Sequence, residues 1–208
     1  MRNKFAIFAQ CFLIAATALS LSGCTLIFQK GRRTDIEKIN QLKSELSDLE
    51  RAKRELEERL KREIGDKEVK VEMQDRGLVI TFVAEVLFDS GKDKLRSEAK
   101  EKLDKVAPVL NTTVRDLNVG IEGHTDNQPI KHSGWKSNWE LSAARALSVL
   151  HYIEDNHGTD PARLSAIGYG EHRPVTSNDA REGRQQNRRV EIVILPPVSK
   201  EKAAEAGQ

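Results

Sequence analysis

Cysteine is nearly missing from this 208-residue chain: the two that occur, Cys11 and Cys24, both fall within the first two dozen residues. The rest of the chain can hold no internal disulfide, and a Cys–His nucleophile is excluded there. No His-Glu-x-x-His or comparable zinc spacing occurs, so no metal site and no cofactor are expected. Charge of one sign is not in excess either: 34 Lys and Arg stand against 32 Asp and Glu, leaving +2, which gives no electrostatic case for nucleic acid. No internal repeat is present. The one marked apolar run, Phe5 to Leu21, is short for a membrane span and ends abruptly. Charged residues make up 32% of the chain, which leaves too few apolar side chains for two large cores; one good-sized domain with appendages is expected.

What is present begins with that apolar run. Arg2 and Lys4 precede it, the layout of a secretory signal. Leu21-Ser22-Gly23-Cys24 resembles a bacterial lipobox, which implies cleavage after residue 23 and lipidation of Cys24. Several acyl chains on one residue would give stable attachment where one chain would not. Thr25 after the cysteine, by the same resemblance, favours the outer membrane. Residues 1–23 are therefore expected to be a signal peptide and 24–33 a lipidated N-terminus and linker.

Thr34 through Glu37 offer a capping box, with Thr34 as N-cap. Ile39, Leu42, Leu46, Leu49, Lys53, Leu56 and Leu60 then recur at alternating steps of three and four, a heptad seam with one polar interruption. A helix or coiled coil over 34–65 is expected, ending near Gly65. At 1.5 Å per residue it would reach roughly 45 Å, an offset between a lipid anchor and a distant domain. The seam suits a homo-oligomer or an envelope-protein partner, or a solvated helix with a narrow apolar stripe.

A domain over 69–197 follows. Val69, Val71 and Met73 alternate, Asp75-Arg76-Gly77 turns the chain, and Leu78, Ile80 and Phe82 alternate again, which predicts a hairpin. Ala99, Leu103, Val106, Ala107 and Leu110 mark a helix that Pro108 should kink or end. Leu117, Val119 and Ile121 predict a central strand, and Ala143, Leu147, Leu150 and Ile153 the core stripe of a second helix. Leu164 to Gly170 reads as a strand, 171–186 as a polar excursion, and Val190, Ile192 and Ile194 as the last strand. The class is α+β: roughly a four-stranded sheet with helices packed on one face, preceded by the long N-terminal helix. Residues 198–208 are small and charged and are expected to be disordered.

Gly123-His124-Thr125-Asp126 follows the central strand, where loops on a rigid scaffold carry function. Beyond it, Asn138, Leu141 and Arg145 are spaced i, i+3, i+7, which stacks an amide and a guanidinium along one helix edge. A carboxylate and a planar guanidinium suit the two ends of a zwitterionic amino acid. They equally suit a plain Asp126–Arg145 pair that fixes the loop. GHTD, then N-x-x-L-S-x-x-R-A, then Asn187-Arg188-Arg189-Val190 resembles the OmpA-like peptidoglycan-binding domain over about residues 80 to 195. That resemblance implies a ligand, the diaminopimelate of the peptidoglycan stem peptide. It places Asp89, Thr125, Asp126, Asn138, Leu141, Arg145 and Arg188 at the pocket. The loop between Asp126 and Asn138, carrying Trp135, departs from the shortest members, and Ser-Asn-Trp-Glu-Leu-Ser is closest to the flagellar stator branch.

Other function classes fare less well. A hydrolase would need two carboxylates as acid and base, for which Glu122 and Asp126 can be nominated; His124 is a further candidate base or ligand, although a histidine at a strand end more often bonds a neighbouring loop. An ion-driven motor protein needs an intramembrane acid, and Phe5 to Leu21 contains none. The expectation is a non-enzymatic outer-membrane lipoprotein on the periplasmic side, tethering that membrane to the wall. A wall-anchored scaffold subunit of an envelope or secretion machine is the alternative.

Overall fold

The structure, a computed structural model, describes residues 35–131 and 134–196. The expected signal peptide 1–23, the lipidated Cys24 with its linker to 33, and the tail 198–208 lie outside the described residues. Two compact units are present, Met1–Leu46 and Ser47–Gln208. Helix α1 comprises 35–59. In the first unit its Ile36, Ile39, Leu42 and Leu46 are each about half exposed, so the seam is uncovered there.

The second unit opens at Ser47, earlier than the Val69 start expected from the sequence. Leu49, Ala52, Leu56 and Leu60 are buried in its core, so this half of the heptad seam is spent on the chain's own domain and is closed to an external partner. Polar contacts fix the docking: Thr113 Oγ1 donates to Glu55 Oε2 at 2.8 Å. Helix α2 (Lys61–Gly65) adds Glu63, 1% exposed, which accepts a 2.7 Å bond from Lys105 Nζ. A 34–65 spacer separate from the domain is thus corrected to a helix whose second half belongs to it. Heptad counting registers apolar spacing and cannot tell a partner helix from a sheet.

The sheet has five strands, β1 (Val69–Gln74), β2 (Gly77–Val83), β3 (Asn118–His124), β4 (Leu164–Gly168) and β5 (Arg189–Leu195). Their order is β1-β2-β5-β3-β4, antiparallel except for the β3–β4 pair. Val69 and Val71, Leu78, Ile80 and Phe82, Val119 and Ile121, and Val190, Ile192 and Ile194 point to one face and join one core, as the period of two requires. The docked part of α1, α4 (Ser97–Asn111) and α5 (Asn138–His157) cover that face. Short helices α3 (Ala84–Leu87) and α6 (Arg181–Asn187) complete the unit; α6 falls in the stretch read as a polar excursion, which has no apolar stripe to announce it.

The α4 stripe is buried as expected, and the helix continues past Pro108 to Asn111. A proline this near the end removes one ladder bond, and Thr112 Oγ1 donates to the Pro108 carbonyl at 2.7 Å. On α5 the core positions are Ala146, Val149 and Ile153, whereas Leu147 is exposed. The expected stripe through Ala143 and Leu147 is therefore rotated. An Ala-rich helix carries two apolar phases, and contact with β3 and β4 selects between them.

Candidate ligand-binding site

Two glycines set the position of α5. A Cβ on Gly123 would lie 2.0 Å from the Ser142 carbonyl oxygen, and one on Gly168 2.6 Å from the Ala143 nitrogen. Only glycine lets β3 and β4 approach the helix so closely. Ser142 Oγ accepts from Gly170 N at 2.9 Å and closes the joint. Ser137 caps α5 by accepting from Glu140 N, and Gly158, with φ 61, ends it in the left-handed conformation. The N-terminal turns of α5 are thereby held beside the chain leaving β3.

There a cavity of about 520 Å³ opens, lined by Glu85, Thr125, Asp126, Leu141, Arg145 and Arg188 among others. That volume suits a small ligand or a short peptide end. Asp126 is 7% exposed; its Oδ1 accepts from Gln128 N at 3.1 Å and its Oδ2 from Arg188 Nη1 at 2.6 Å. The Asp126–Arg145 pair allowed by the sequence is not made: the arginine on Asp126 is Arg188. Burial works against the Arg188 charge, but its hydrogen bonds to Asp126 and Glu85 outweigh that and raise its pKa.

Arg145 differs in kind. It is 5% exposed, and among the described residues no carboxylate forms an ion pair with it. Its Nε donates to the Lys92 carbonyl at 2.9 Å and its Nη2 to the Asp89 carbonyl at 3.4 Å, and the guanidinium lies 5.2 Å from the centre of the Phe88 ring. Burial lowers its pKa, with the positive charge of Arg188 opposing the acids nearby. A buried guanidinium held by carbonyls and a ring is oriented without a direct ion pair, and it favours an incoming anion.

The other nominated residues divide by role. Thr125 Oγ1 donates to the Asp126 carbonyl at 2.9 Å and its N–H to the Gly170 carbonyl at 2.9 Å, so it shapes the loop. Asn138 Nδ2 donates to Glu171 Oε2 at 2.7 Å and to the Gln128 carbonyl at 3.1 Å, tying three loops together. Leu141 forms part of the apolar wall. Asp89 contributes its backbone carbonyl to Arg145, while its carboxylate is 75% exposed and 3.8 Å from Arg96 Nε. Trp135 Nε1 donates to the Gly91 carbonyl at 3.0 Å, latching the longer loop to the rim. Asn187 is fully buried, bonding Val175 N, Thr176 N and the Thr176 carbonyl, and so staples the excursion without lining the pocket.

Glu85 was not found from sequence. Its Oε1 accepts from Arg188 Nε at 2.6 Å, and its Oε2 is buried without a hydrogen-bond partner among the described residues. The sequence signal that could have found it is its short spacing to Asp89, one of the residues the family resemblance places at the pocket. Glu122 and His124 do not line the cavity. Glu122 pairs with Arg76, so the two carboxylates nominated as an acid and base are not gathered in one pocket.

The OmpA family matches residues 87–188, a span from the Phe88 loop through the site to Arg188. The outer-membrane lipoprotein YfiB of Pseudomonas aeruginosa is 34% identical over 59% of this chain and 70% of its own length. The chain belongs to the OmpA family. Motility protein B of Bacillus subtilis is 40% identical over 72% of this chain, and the chain spans 57% of that relative's length. The solved cell wall anchor of the T6SS from Pseudomonas aeruginosa superposes with a TM-score of 0.62 and 34% identity, over 68% of this chain and 97% of that one. The second unit carries the OmpA-like domain. Among the described residues no helix is long and apolar enough to cross a membrane.

Proposed function

We propose that this protein binds peptidoglycan without cleaving it, taking the zwitterionic end of the diaminopimelate in the stem peptide. Arg145 receives the carboxylate and Asp126 the ammonium. The observation that carries the reading is the buried Arg145 guanidinium, lining the cavity with no ion-pair partner among the described residues. Arg188, itself on the cavity wall, holds Asp126 in place, and Asn138, Thr125, Leu141 and the Asp89 backbone fix the rest of the walls. Charge-assisted, partly bidentate contacts in a partly desolvated cavity give specificity without any need for a nucleophile.

On this reading Cys24 carries the lipid, and the protein sits on the periplasmic face of the outer membrane as a tether to the wall. The lipobox resemblance and the likeness to an outer-membrane lipoprotein support it. Two attachments on one chain raise the effective concentration, so a weak stem contact suffices. A second role, as the wall-anchored subunit of an envelope machine, is favoured by the half-exposed Ile36, Ile39, Leu42 and Leu46 stripe, which is open to a partner or a second copy, and by the likeness to the T6SS wall anchor.

Calorimetric titration with stem tripeptides tests the assignment. A diaminopimelate peptide should bind at least roughly tenfold tighter than its lysine counterpart, which lacks the second carboxylate. Equal affinity for the two would remove Arg145 from the proposed role.

A further inference from the structure

The other face of the sheet carries a cluster that ligand binding does not use. Glu122 and His124 stand two residues apart on β3 and so share a face, and Glu191 on β5 is the direct cross-strand partner of Glu122. All three are buried, and one ligand atom from each lies within 4.8 Å of the others. His124 Nε2 is 3.9 Å from Glu122 Oε2 and 3.8 Å from Glu191 Oε2. His124 is 3% exposed, and neither ring nitrogen has a hydrogen-bond partner among the described residues. Its ring stacks on Tyr169 at 5.1 Å, a contact through the faces that leaves both nitrogens unmet. Buried polar atoms are rarely left so without cause.

We propose that Glu122, His124 and Glu191 form a binding site for one divalent transition-metal ion of the zinc type, which enters by displacing the guanidinium of Arg76. One imidazole nitrogen and two carboxylates are a donor set that zinc accepts, with a fourth position left for water. Around a tetrahedral ion at about 2.1 Å, ligand atoms sit roughly 3.4 Å apart. The histidine-to-carboxylate gaps therefore need to close by only about 0.4–0.5 Å.

Like charges directly opposite on a sheet repel, and Glu122 and Glu191 are such a pair. Arg76 now answers that repulsion, its two terminal nitrogens each hydrogen-bonded to one carboxylate. It stands in the two-residue turn between β1 and β2, its side chain is 37% exposed, and its hold is through that side chain. It can leave without disturbing the ladder. Arg189 remains on Glu191 Oε1 at 2.6 Å and orients that carboxylate from outside the ligand set. The two glutamates with both arginines sum to zero; exchanging Arg76 for a dication leaves +1, a modest cost. A cavity of about 490 Å³ lined by Gln74, Thr81, Arg189 and Glu191 offers the way in.

Full chain freed of metal with a chelator, titrated with Zn²⁺ by calorimetry and with Co²⁺ by visible absorption, tests the site. Wild type should take up one ion with an intense tetrahedral Co²⁺ band, Arg76→Ala should bind about tenfold tighter or better because the competing cation is gone, and His124→Gln should lose the band. Should His124→Gln fail to fold, Arg76→Ala decides alone, since its change lies in the turn between β1 and β2, and a melt of that variant with Zn²⁺ present should show it stabilised by the ion. Affinity equal in wild type and Arg76→Ala, or the absence of a one-to-one site in Arg76→Ala, would overturn the proposal and assign any uptake to other histidines.

Discussion

Leu56 and Leu60 test whether the second half of the long helix belongs to the domain. Both side chains are fully buried, one turn apart, in a cluster that includes Val69, Val71 and Leu103. Truncating a buried leucine to alanine costs about 2–5 kcal/mol, the loss of transfer energy plus the cavity. For a unit of this size each kcal/mol lowers the melting temperature by roughly 2–4 °C, so Leu56→Ala should melt about 4–20 °C early. Leu42 has the same place in the heptad pattern but is 53% exposed, and Leu42→Ala should stay within about 0.5 kcal/mol of wild type. Thermal and urea melts followed by circular dichroism give both numbers. A chain beginning at Val69 should be far less stable than one beginning at Ser47. Equal losses from Leu42→Ala and Leu56→Ala, or equal stability of the two shortened chains, would refute the docking.

Gly123→Ala would bring a Cβ onto the Ser142 carbonyl; it should cost about 1–3 kcal/mol or more and weaken stem-peptide binding, whereas Gly120→Ala, whose nearest neighbour is 3.6 Å away, should do neither. Burial pushes the His124 pKa down to about 3, with Arg189 adding to the shift and Glu191 opposing it. The unfolded chain then binds the extra proton between about pH 6.5 and 3, so metal-free protein should lose on the order of a few kcal/mol as pH falls through that window, and His124→Asn should flatten the slope. Cys24→Ser should release the protein from membranes in fractionation; firm retention after a high-salt wash would contradict lipid anchoring.

Four alternating apolar runs in the sequence correspond to β1, β2, β3 and β5, because a sheet with one face in the core writes its period directly into the chain, and the stretch from Leu164 holds β4. The GHTD and N-x-x-L-S-x-x-R spacing likewise placed Asp126, Asn138, Leu141 and Arg145 together, and the structure adds the reason for the glycine, the close crossing of β3 and α5. Pairing was less legible. Which arginine meets Asp126 depends on loop paths that no periodicity records, and Glu85 reaches the pocket through Arg188 rather than through a motif. The α5 phase and the start of the domain were ambiguous for one reason: an apolar stripe states that something covers it, not what. The Glu122, His124 and Glu191 group joins two strands across the 69 residues from Glu122 to Glu191, and only the i, i+2 spacing of Glu122 and His124 is legible in the sequence.

Co-sedimentation with purified sacculi addresses the central claim most directly, with wild type beside Arg145→Ala and folding checked by melting. Removing the buried Arg145 guanidinium, which has no ion-pair partner among the described residues, would leave the proposed stem carboxylate unmet, at a cost on the order of 2–5 kcal/mol. The account predicts that wild type pellets with the wall, that folded Arg145→Ala stays in the supernatant, and that no muropeptides are released by either. Undiminished pelleting of folded Arg145→Ala would contradict the assigned site, and release of muropeptides by wild type would contradict binding without cleavage.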